Sequence, residues 1–300
     1  MIQALVLFAL LSKIKSVKLE PLMSKETSLP LTYKEKAIIF RGGGLGDFIL
    51  TLPLLSYIQN SYYEVILLTK SSYFSLVNKG EGVFELFDLD LGLSQISKRI
   101  EGADIFTFWD DVEWKNELQN LGANQIFILP TRPTAGPHIV EAMFEKINTP
   151  FLQSIFSDAW IGDEWRKNSN MWIHPGSGGD YKNMPFYFYK NLAETWLKKK
   201  NSNRVTFCFG EADQKICKNF KEANFIFSAR IKFVHPSSIE EYKNNLMQGV
   251  CEFWGNDSGP GHLAANLGLP TNICFRSTKS SIWKPTGPRV NIHEFDEDSI

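Results

Sequence analysis

Apolar and polar positions along the chain fall into short blocks that predict alternating strands and helices. The run KAIIF at 36–40 is stopped by glycines, which predicts a buried strand, and the apolar segment at 46–60 follows it as a helix. Helical patterns near 72–79, 112–121 and 137–147 separate several further strand-like runs. Those runs are EVILLT (64–69), FELFDLD (84–90), ADIFTFW (103–109) and NQIFILP (124–130). Repeated strand–helix alternation predicts a parallel sheet covered on both faces.

The alternation breaks at 149–170, in a stretch containing Pro, Asn, Ser and Asp, and then starts again. The second series predicts strands at MWIH, RVTFCF, FIF, IKFV, VCEFW and TNICF, with helices at 185–200, 211–221, near 238–247 and from Gly259. Two such series predict an α/β protein in which two Rossmann-like domains face each other across a cleft. We place them at 31–160 and 161–300, after an N-terminal extension at 1–30. Ligands of such folds lie beyond the carboxyl ends of the strands.

The charge balance and the cysteine and histidine content of the chain argue against several classes of function. The chain has 32 Lys and Arg against 33 Asp and Glu, so it lacks the basic excess expected of a nucleic-acid-binding protein. The four cysteines show no C-x-x-C spacing, which favours buried thiols in a reducing, cytoplasmic compartment. The five histidines show no metal-site spacing, and we expect no bound metal.

The N-terminus, MIQALVLFALLSKIKSVKLEP, has an apolar run followed by three lysines. The run is too short to span a bilayer, which takes about 20 residues. It also lacks the basic start and the cleavage site of a signal peptide. Two interpretations stay open: an anchor lying in the membrane interface, or an unpacked extension.

The glycine cluster RGGGLGD at 41–47 follows the first strand and ends on Asp47. It fits neither the G-x-G-x-x-G dinucleotide fingerprint nor a P-loop, which argues against an oxidoreductase. A tight turn there delivers Asp47 to the first turn of a helix, where the helix dipole stabilises negative charge. The simpler alternative is that Asp47 only caps that helix.

The loop IHPGSGGDYKNMP at 173–185 combines glycines, a hydroxyl and Lys182 before a helix that opens near Pro185. Backbone N–H groups, the Ser177 hydroxyl and the Lys182 ammonium together predict a phosphate-binding loop. An ordinary surface loop is the alternative.

The loop WGNDSGPGHLAANLGLP at 254–270 again runs from strand to glycine turn to helix. The helix start near Gly259–His262 points N–H groups at an anion. Asp257 and Ser258 are equally suited to cap the helix, and His262 to lie in the interior. A weaker pair, Glu211 and Asp213, follows a strand where an acidic residue can bind ribose hydroxyls or remain solvated.

Together these three loops resemble glycosyltransferase family 9, the ADP-heptose:lipopolysaccharide heptosyltransferases. The resemblance lies in IIFRGGGLGD followed by LTLPLL, in HPGSGGDYKNMP, and in NDSGPGHLAANLGLPT, whose order and spacing agree over about residues 36–290. Met184 replaces the tryptophan of the family's second motif, and RSTKSSIWKP replaces its usual G-P-T-D-P. The resemblance places the segment RSTKSSIWKP near the nucleotide or sugar of the donor.

The resemblance implies a GT-B fold with the acceptor on the N-terminal domain and the nucleotide sugar on the C-terminal one. It implies inverting, metal-independent transfer of a heptose or similar sugar from an ADP-sugar, which is a substrate rather than a cofactor, to a lipid-linked glycan of lipopolysaccharide core type. Asp47 is then the general base and Lys182 neutralises the leaving diphosphate, while the first loop, on the acceptor side, contains Gly43, Gly44 and Gly46. The residues implied in donor and phosphate binding are Ser177, Gly178, Asp213, Asp257, Ser258, Gly259, Pro260, Gly261 and His262.

Such an enzyme is expected in bacteria, in the cytoplasm at the inner face of the membrane, where the N-terminus can make peripheral contact. Many GT-B proteins end in a helix that crosses back to the first domain, and the sequence shows no candidate for it. The alternative function is a degenerate GT-B protein that binds a nucleotide sugar or glycan without transferring it.

Overall fold

The computed structural model describes residues 34–77, 84–162 and 165–296. The extension predicted at 1–30 lies outside these ranges. All the described residues belong to one compact unit. The domain boundary at 160/161 falls between its two sheets and stays a prediction.

Two parallel sheets form the framework of the described chain, as the alternating pattern predicted. The first has the strand order β3-β2-β1-β4-β5. Its strands are β1 (Lys34–Arg41), β2 (Tyr62–Thr69), β3 (Glu85–Asp88), β4 (Asp104–Thr107) and β5 (Gln125–Ile128). The second has the order β11-β10-β9-β6-β7-β8. Its strands are β6 (Asn170–His174), β7 (Arg204–Cys208), β8 (Ile231–Val234), β9 (Glu252–Asn256), β10 (Thr271–Phe275) and β11 (Val290–Glu294).

Helices cover these sheets, and one of them is buried almost throughout. In the described chain the α-helices are α1 (Leu45–Gln59), α2 (Val112–Asn120), α3 (Ile139–Lys146), α4 (Phe186–Lys199), α5 (Gln214–Glu222), α6 (Ile239–Met247), α7 (Gly259–Asn266) and α8 (Ser280–Trp283). Residues 48–55 of α1 are all buried. A helix that is apolar all round needs cover on every side, and α1 obtains it from the first sheet, from α3 and from α7 of the second half.

The strand order explains where the glycine loops meet. In each sheet the order reverses at one point, between β1 and β4 in the first sheet and between β6 and β9 in the second. A crevice opens at such a point, beyond the carboxyl ends of the strands. The loops after β1, β6 and β9 are the three sequence motifs, so the fold brings all three to the crevices.

Some predicted elements differ from the structure. FIF at 225–227 is not a strand, because Phe225 and Phe227 pack on the core of the second half from a turn while Ile226 is exposed. The strand predicted at 84–90 ends at Asp88 and continues as a 3₁₀ turn at Leu89–Leu91. The helical stretch predicted near 72–79 is a 3₁₀ helix at Ser71–Leu76.

Hydrogen bonds join the two halves at several points. His138 Nε2 lies 2.8 Å from the carbonyl oxygen of Lys284. Lys243 Nζ donates to the Ser75 carbonyl oxygen at 2.6 Å, and Gly287 N–H donates to the Phe156 carbonyl oxygen at 2.8 Å. These three hydrogen bonds thus help to fix the relative position of the two sheets.

Candidate active site

Asp47 lies in the first turn of α1, three residues after the N-cap residue Gly44. Its Oδ2 accepts a hydrogen bond from the Gly44 N–H at 3.0 Å, so the capping interpretation is confirmed. Gly43 has φ +93°, which a side chain would strain, and the Asp47 carboxylate folds back against it. The Asp47 side chain remains 40% exposed. Capping therefore occupies part of the carboxylate and leaves the rest open to solvent.

Arg41 is a site residue that the sequence analysis missed, although it begins the first motif. Its guanidinium is buried, stacks on the Phe108 ring at 3.9 Å and donates to the Asp47 carbonyl oxygen at 2.6 Å. One of its nitrogens lies 4.0 Å from Asp47 Oδ1. Burial lowers the pKa of Arg41 to about 10, and the nearby Asp47 charge opposes this shift. Arg41 remains a cation at neutral pH and fixes the turn that carries Asp47.

The second motif forms a loop whose lysine is held by the third motif. Lys182 Nζ donates to Asp257 Oδ2 at 2.9 Å. Ser177 uses its hydroxyl within the loop, donating to the Gly179 carbonyl oxygen at 2.7 Å. A Cβ added to Gly178 would meet no atom within 4 Å, so that position is open. An ammonium has three donor hydrogens, so Lys182 can bind Asp257 and an anion together.

Asp257 is the buried centre of the third motif. It is 6% exposed and also accepts from the Thr278 hydroxyl at 2.7 Å. Burial raises the pKa of Asp257, but His262 and Lys182 outweigh burial and lower it from 3.8 to about 2. Asp257 is therefore ionised at neutral pH and positions Lys182.

The N-terminus of α7 contains two buried polar atoms without a partner in the described chain. These are Oγ of Ser258, the N-cap residue, and Nδ1 of His262. The first N–H groups of a helix also lack intrahelical acceptors. Buried polar groups are normally hydrogen-bonded, so a hydroxyl left unpaired at a helix N-terminus indicates a place for an anion. Pro260 and Gly261 lie in the same first turn, and Gly261 is buried.

Asp213, which was predicted to bind the donor, is buried by contacts within the protein. It is 4% exposed, its Oδ2 accepts from the Gly210 N–H at 2.7 Å, and it lies 3.4 Å from His174 Nε2. A Cβ at Gly176 would come within 1.9 Å of its Oδ1. Burial lowers the pKa of His174 although the Asp213 charge opposes this. Asp213 thus ties the ends of β6 and β7 together, and its contact with the donor stays a prediction.

Glu211 is better placed than Asp213 to bind a ligand. It lines a cavity of about 200 Å³ beyond the carboxyl ends of β6 and β7. The other residues around this cavity include His174, Gly210, Ser237, Tyr242 and Pro260. Pro260 belongs to α7, so the cavity is continuous with the helix N-terminus. Sites for whole ligands measure roughly 300–1,000 Å³, so this cavity has room for part of one.

The N-termini of α1 and α7 meet directly across the two halves. A Cβ at Gly46 would lie 3.0 Å from His262 Cδ2, and one at Gly259 would lie 2.7 Å from Leu45 Cβ. Gly46, expected in an acceptor-side loop, is instead in the first turn of α1 and faces the second half. The absence of side chains at these two positions brings the turn containing Asp47 against the turn containing Ser258.

The described residues contain no group of three or more side chains suited to hold a metal ion. None of the helices in the same ranges has the length and apolarity needed to cross a membrane.

A family model and several solved structures are similar to this chain. The model of glycosyltransferase family 9 (heptosyltransferase) matches residues 145–299. No curated protein sequence gives a significant match. The family 9 glycosyl transferase from Veillonella parvula is similar in structure, with a TM-score of 0.71 at 13% identity over 89% of this chain and 87% of that one.

Two Escherichia coli structures are also similar. Heptosyltransferase WaaC with ADP has a TM-score of 0.64 at 13% identity and covers 86% of this chain and 93% of its own. ADP-heptose lps heptosyltransferase II has a TM-score of 0.65 at 14% identity and covers 88% and 93%. At these identities the likeness establishes the shared GT-B fold, while the family model matches just over half of the chain. The protein is therefore a GT-B glycosyltransferase and belongs to glycosyltransferase family 9.

Proposed function

We propose that this glycosyltransferase transfers a heptose, or a similar sugar, from an ADP-sugar to a lipid-linked glycan of lipopolysaccharide core type, with inversion and without a metal. The observation that carries the proposal is the meeting of two helix N-termini, one presenting the partly exposed Asp47 and the other the unpaired Ser258 hydroxyl beside Lys182. The WaaC structure with ADP and its counterpart with an ADP-2-deoxy-2-fluoro heptose make an ADP-linked donor the first candidate.

The donor diphosphate is assigned to the N-terminus of α7. Departure of ADP leaves negative charge on the diphosphate, which the α7 dipole, the Ser258 hydroxyl and the free N–H donors of Lys182 stabilise. Asp257 contributes by holding Lys182 in place. The adjoining cavity, lined by Glu211, is assigned to the nucleoside, with Glu211 accepting from ribose hydroxyls.

Asp47 is assigned as the general base that accepts the proton of the acceptor hydroxyl. As that oxygen forms its bond to the anomeric carbon, the bond from this carbon to the diphosphate oxygen breaks and the proton passes to the carboxylate. A single displacement on the face opposite to the leaving group inverts the anomeric centre. Positioned general bases contribute about 10²–10⁴-fold to rates.

The substitution Asp47→Asn tests this role, because the amide oxygen still accepts from the Gly44 N–H while the base is removed. We expect ADP release, in the presence of truncated lipopolysaccharide lacking its core heptose, to fall by about 10²–10⁴-fold. ADP affinity, measured by calorimetry, stays within twofold. Glu113→Gln, which removes an exposed carboxylate from the first turn of α2, is the matched control and retains turnover. Unchanged turnover in Asp47→Asn would exclude Asp47 as the base.

The capping bond of Asp47 is the observation that favours the second candidate, a family member that binds a nucleotide sugar or glycan without transferring it, because the bond gives the carboxylate a structural task. Turnover of the unmodified protein separates the two candidates, and Lys182→Gln tests the diphosphate contact that both of them share. Loss of a charged hydrogen bond to the diphosphate weakens ADP binding by about tenfold to a hundredfold. Tight ADP binding without any turnover in the unmodified protein supports the binding-only candidate, whereas unaltered ADP affinity in Lys182→Gln refutes the contact assigned to that lysine.

A further inference from the structure

A second pocket lies in the first half, beyond the carboxyl ends of β1 and β2. Its volume is about 340 Å³, within the range of roughly 300–1,000 Å³ found for ligand sites. It lies over the face of the first sheet that α1 does not cover. Its walls are three aromatic rings and three leucines: Phe40, Leu68, Leu89, Leu93, Trp109 and Trp114.

The chemistry of this pocket suits an uncharged, apolar group. No lysine or arginine is among the described residues that line it, and its one charged residue is Asp111. The Asp111 carboxylate already accepts a hydrogen bond from the backbone N–H of Trp114 at 2.9 Å. The Asp111 carboxylate would repel a phosphate or an acidic sugar, and no cation among these lining residues would offset that repulsion. A sugar ring would find too few hydrogen-bond partners for its hydroxyls, whereas an alkyl chain needs none.

The pocket adjoins the loop that carries Asp47. A Cβ at Gly42 would lie 3.3 Å from both Leu89 Cδ2 and Trp109 Cζ2. A Cβ at the next residue, Gly43, would lie 3.0 Å from Asp47 Oδ2. With adjacent Cα atoms 3.8 Å apart, the wall of the pocket and the Asp47 carboxylate are separated by at most about 13 Å. That distance corresponds to one or two sugar rings.

We propose that the pocket binds an alkyl chain of the acceptor, attached within one or two sugars of the hydroxyl that receives the transferred sugar. The inference rests on the proposed function, and it names the acceptor class as a short glycolipid whose apolar part enters the protein. Trp109 is 39% exposed at this pocket, and the neighbouring Leu91 and Val112 are 66% and 69% exposed. The apolar surface thus continues outward along the path of a chain.

The test is a chain-length series of methyl, hexyl, heptyl and octyl β-D-glucosides, titrated below their micellar concentrations. Binding is followed by tryptophan fluorescence. Each added methylene that enters an apolar pocket tightens binding by about three- to fourfold, until the pocket is full. Leu93→Gln, at a half-buried wall residue, should weaken octyl glucoside binding at least fivefold and flatten the dependence on length. Ile226→Gln, at a 67% exposed position in the other half, is the matched control and should follow the unmodified protein.

The series uses neither ADP nor turnover, so its outcome is separate from that of the transfer assay. Binding that ignores chain length, or that Leu93→Gln leaves unchanged, overturns the proposal. Sedimentation velocity tests whether a second copy of the chain fills the pocket instead. A dimer that octyl glucoside dissociates would show this, and that result also overturns the proposal.

Discussion

His138 makes the stability of this protein depend on pH in a way that can be worked out from its contacts. It is 4% exposed and caps α3, its Nδ1 accepting from the Val140 N–H at 3.3 Å. Its Nε2 donates to the carbonyl oxygen of Lys284, in the second half, at 2.8 Å. Only the neutral ring, protonated at Nε2, satisfies both bonds. Burial lowers the pKa of His138 from 6.5 to about 4; the bond to the Lys284 carbonyl opposes the shift, and the charges of His262 and Lys284 add to it.

The sign and size of the effect follow from this pKa. Above pH 6.5 the ring is neutral in both the folded and unfolded states, so stability is full. Between pH 6.5 and about 4 the unfolded chain takes up a proton that the folded one does not. The free energy of unfolding therefore decreases as the pH is lowered through this range. One pKa unit corresponds to 1.36 kcal/mol, so the loss from pH 7.5 to pH 4.5 is about 2.5 kcal/mol. A change of that size is a large part of the total stability of a typical domain.

The measurement is urea denaturation of the unmodified protein and of His138→Asn at several pH values between 7.5 and 4.5. Asparagine still caps a helix but does not titrate. We expect it to be the less stable protein at pH 7.5, because the bond to Lys284 is lost. As the pH falls, the difference in unfolding free energy between the two proteins should shrink by about 2.5 kcal/mol. The other histidines are the same in both proteins and largely cancel. A difference that stays constant over this range would refute the buried neutral state of His138.

Two further substitutions test the packing of the fold. Gly259→Ala places a Cβ 2.7 Å from Leu45 Cβ and should lower the free energy of unfolding by about 1–3 kcal/mol. Its control, Gly178→Ala, adds a Cβ in open space and should leave the midpoint of thermal unfolding unchanged. Equal midpoints for the two variants would contradict the close contact of the helices. Asp104→Ala removes the buried acceptor of the Tyr62 hydroxyl, 2.7 Å away, and should cost about 2–4 kcal/mol in urea denaturation; a cost below about 0.5 kcal/mol would show that water replaces the carboxylate.

The sequence predicted the parallel sheets and the three loops because each depends on local pattern. Strands buried on both faces are continuous apolar runs, and KAIIF and TNICF lie within β1 and β10. The loops were predictable because glycine, hydroxyl and charge coincide directly after these runs. Once both sheets are parallel, loops after their strands must lie at one edge. Capping by Asp47 also followed from sequence spacing alone.

Features set by contacts between distant segments were not predictable in this way. Asp213 was expected to face a ligand, but it is buried because Gly176, in the loop after another strand, leaves room for its carboxylate. Arg41 is the first residue of the glycine cluster, and its role depends on Phe108 and on the turn carrying Asp47. No periodic signal along the chain reports such pairings.

The glycines of the first motif show why a glycine-rich turn does not by itself indicate a phosphate. Gly42 lies against Trp109 and Leu89, and only Gly43, at φ +93°, needs the conformational freedom of glycine. A side chain at Gly46 would collide with His262 of the other half, which packs against this position. These contacts are all made within the protein, so each of the three glycines has a structural role that does not involve a phosphate. The motif instead brings two halves close enough for a carboxylate on one to lie near an unpaired helix N-terminus on the other.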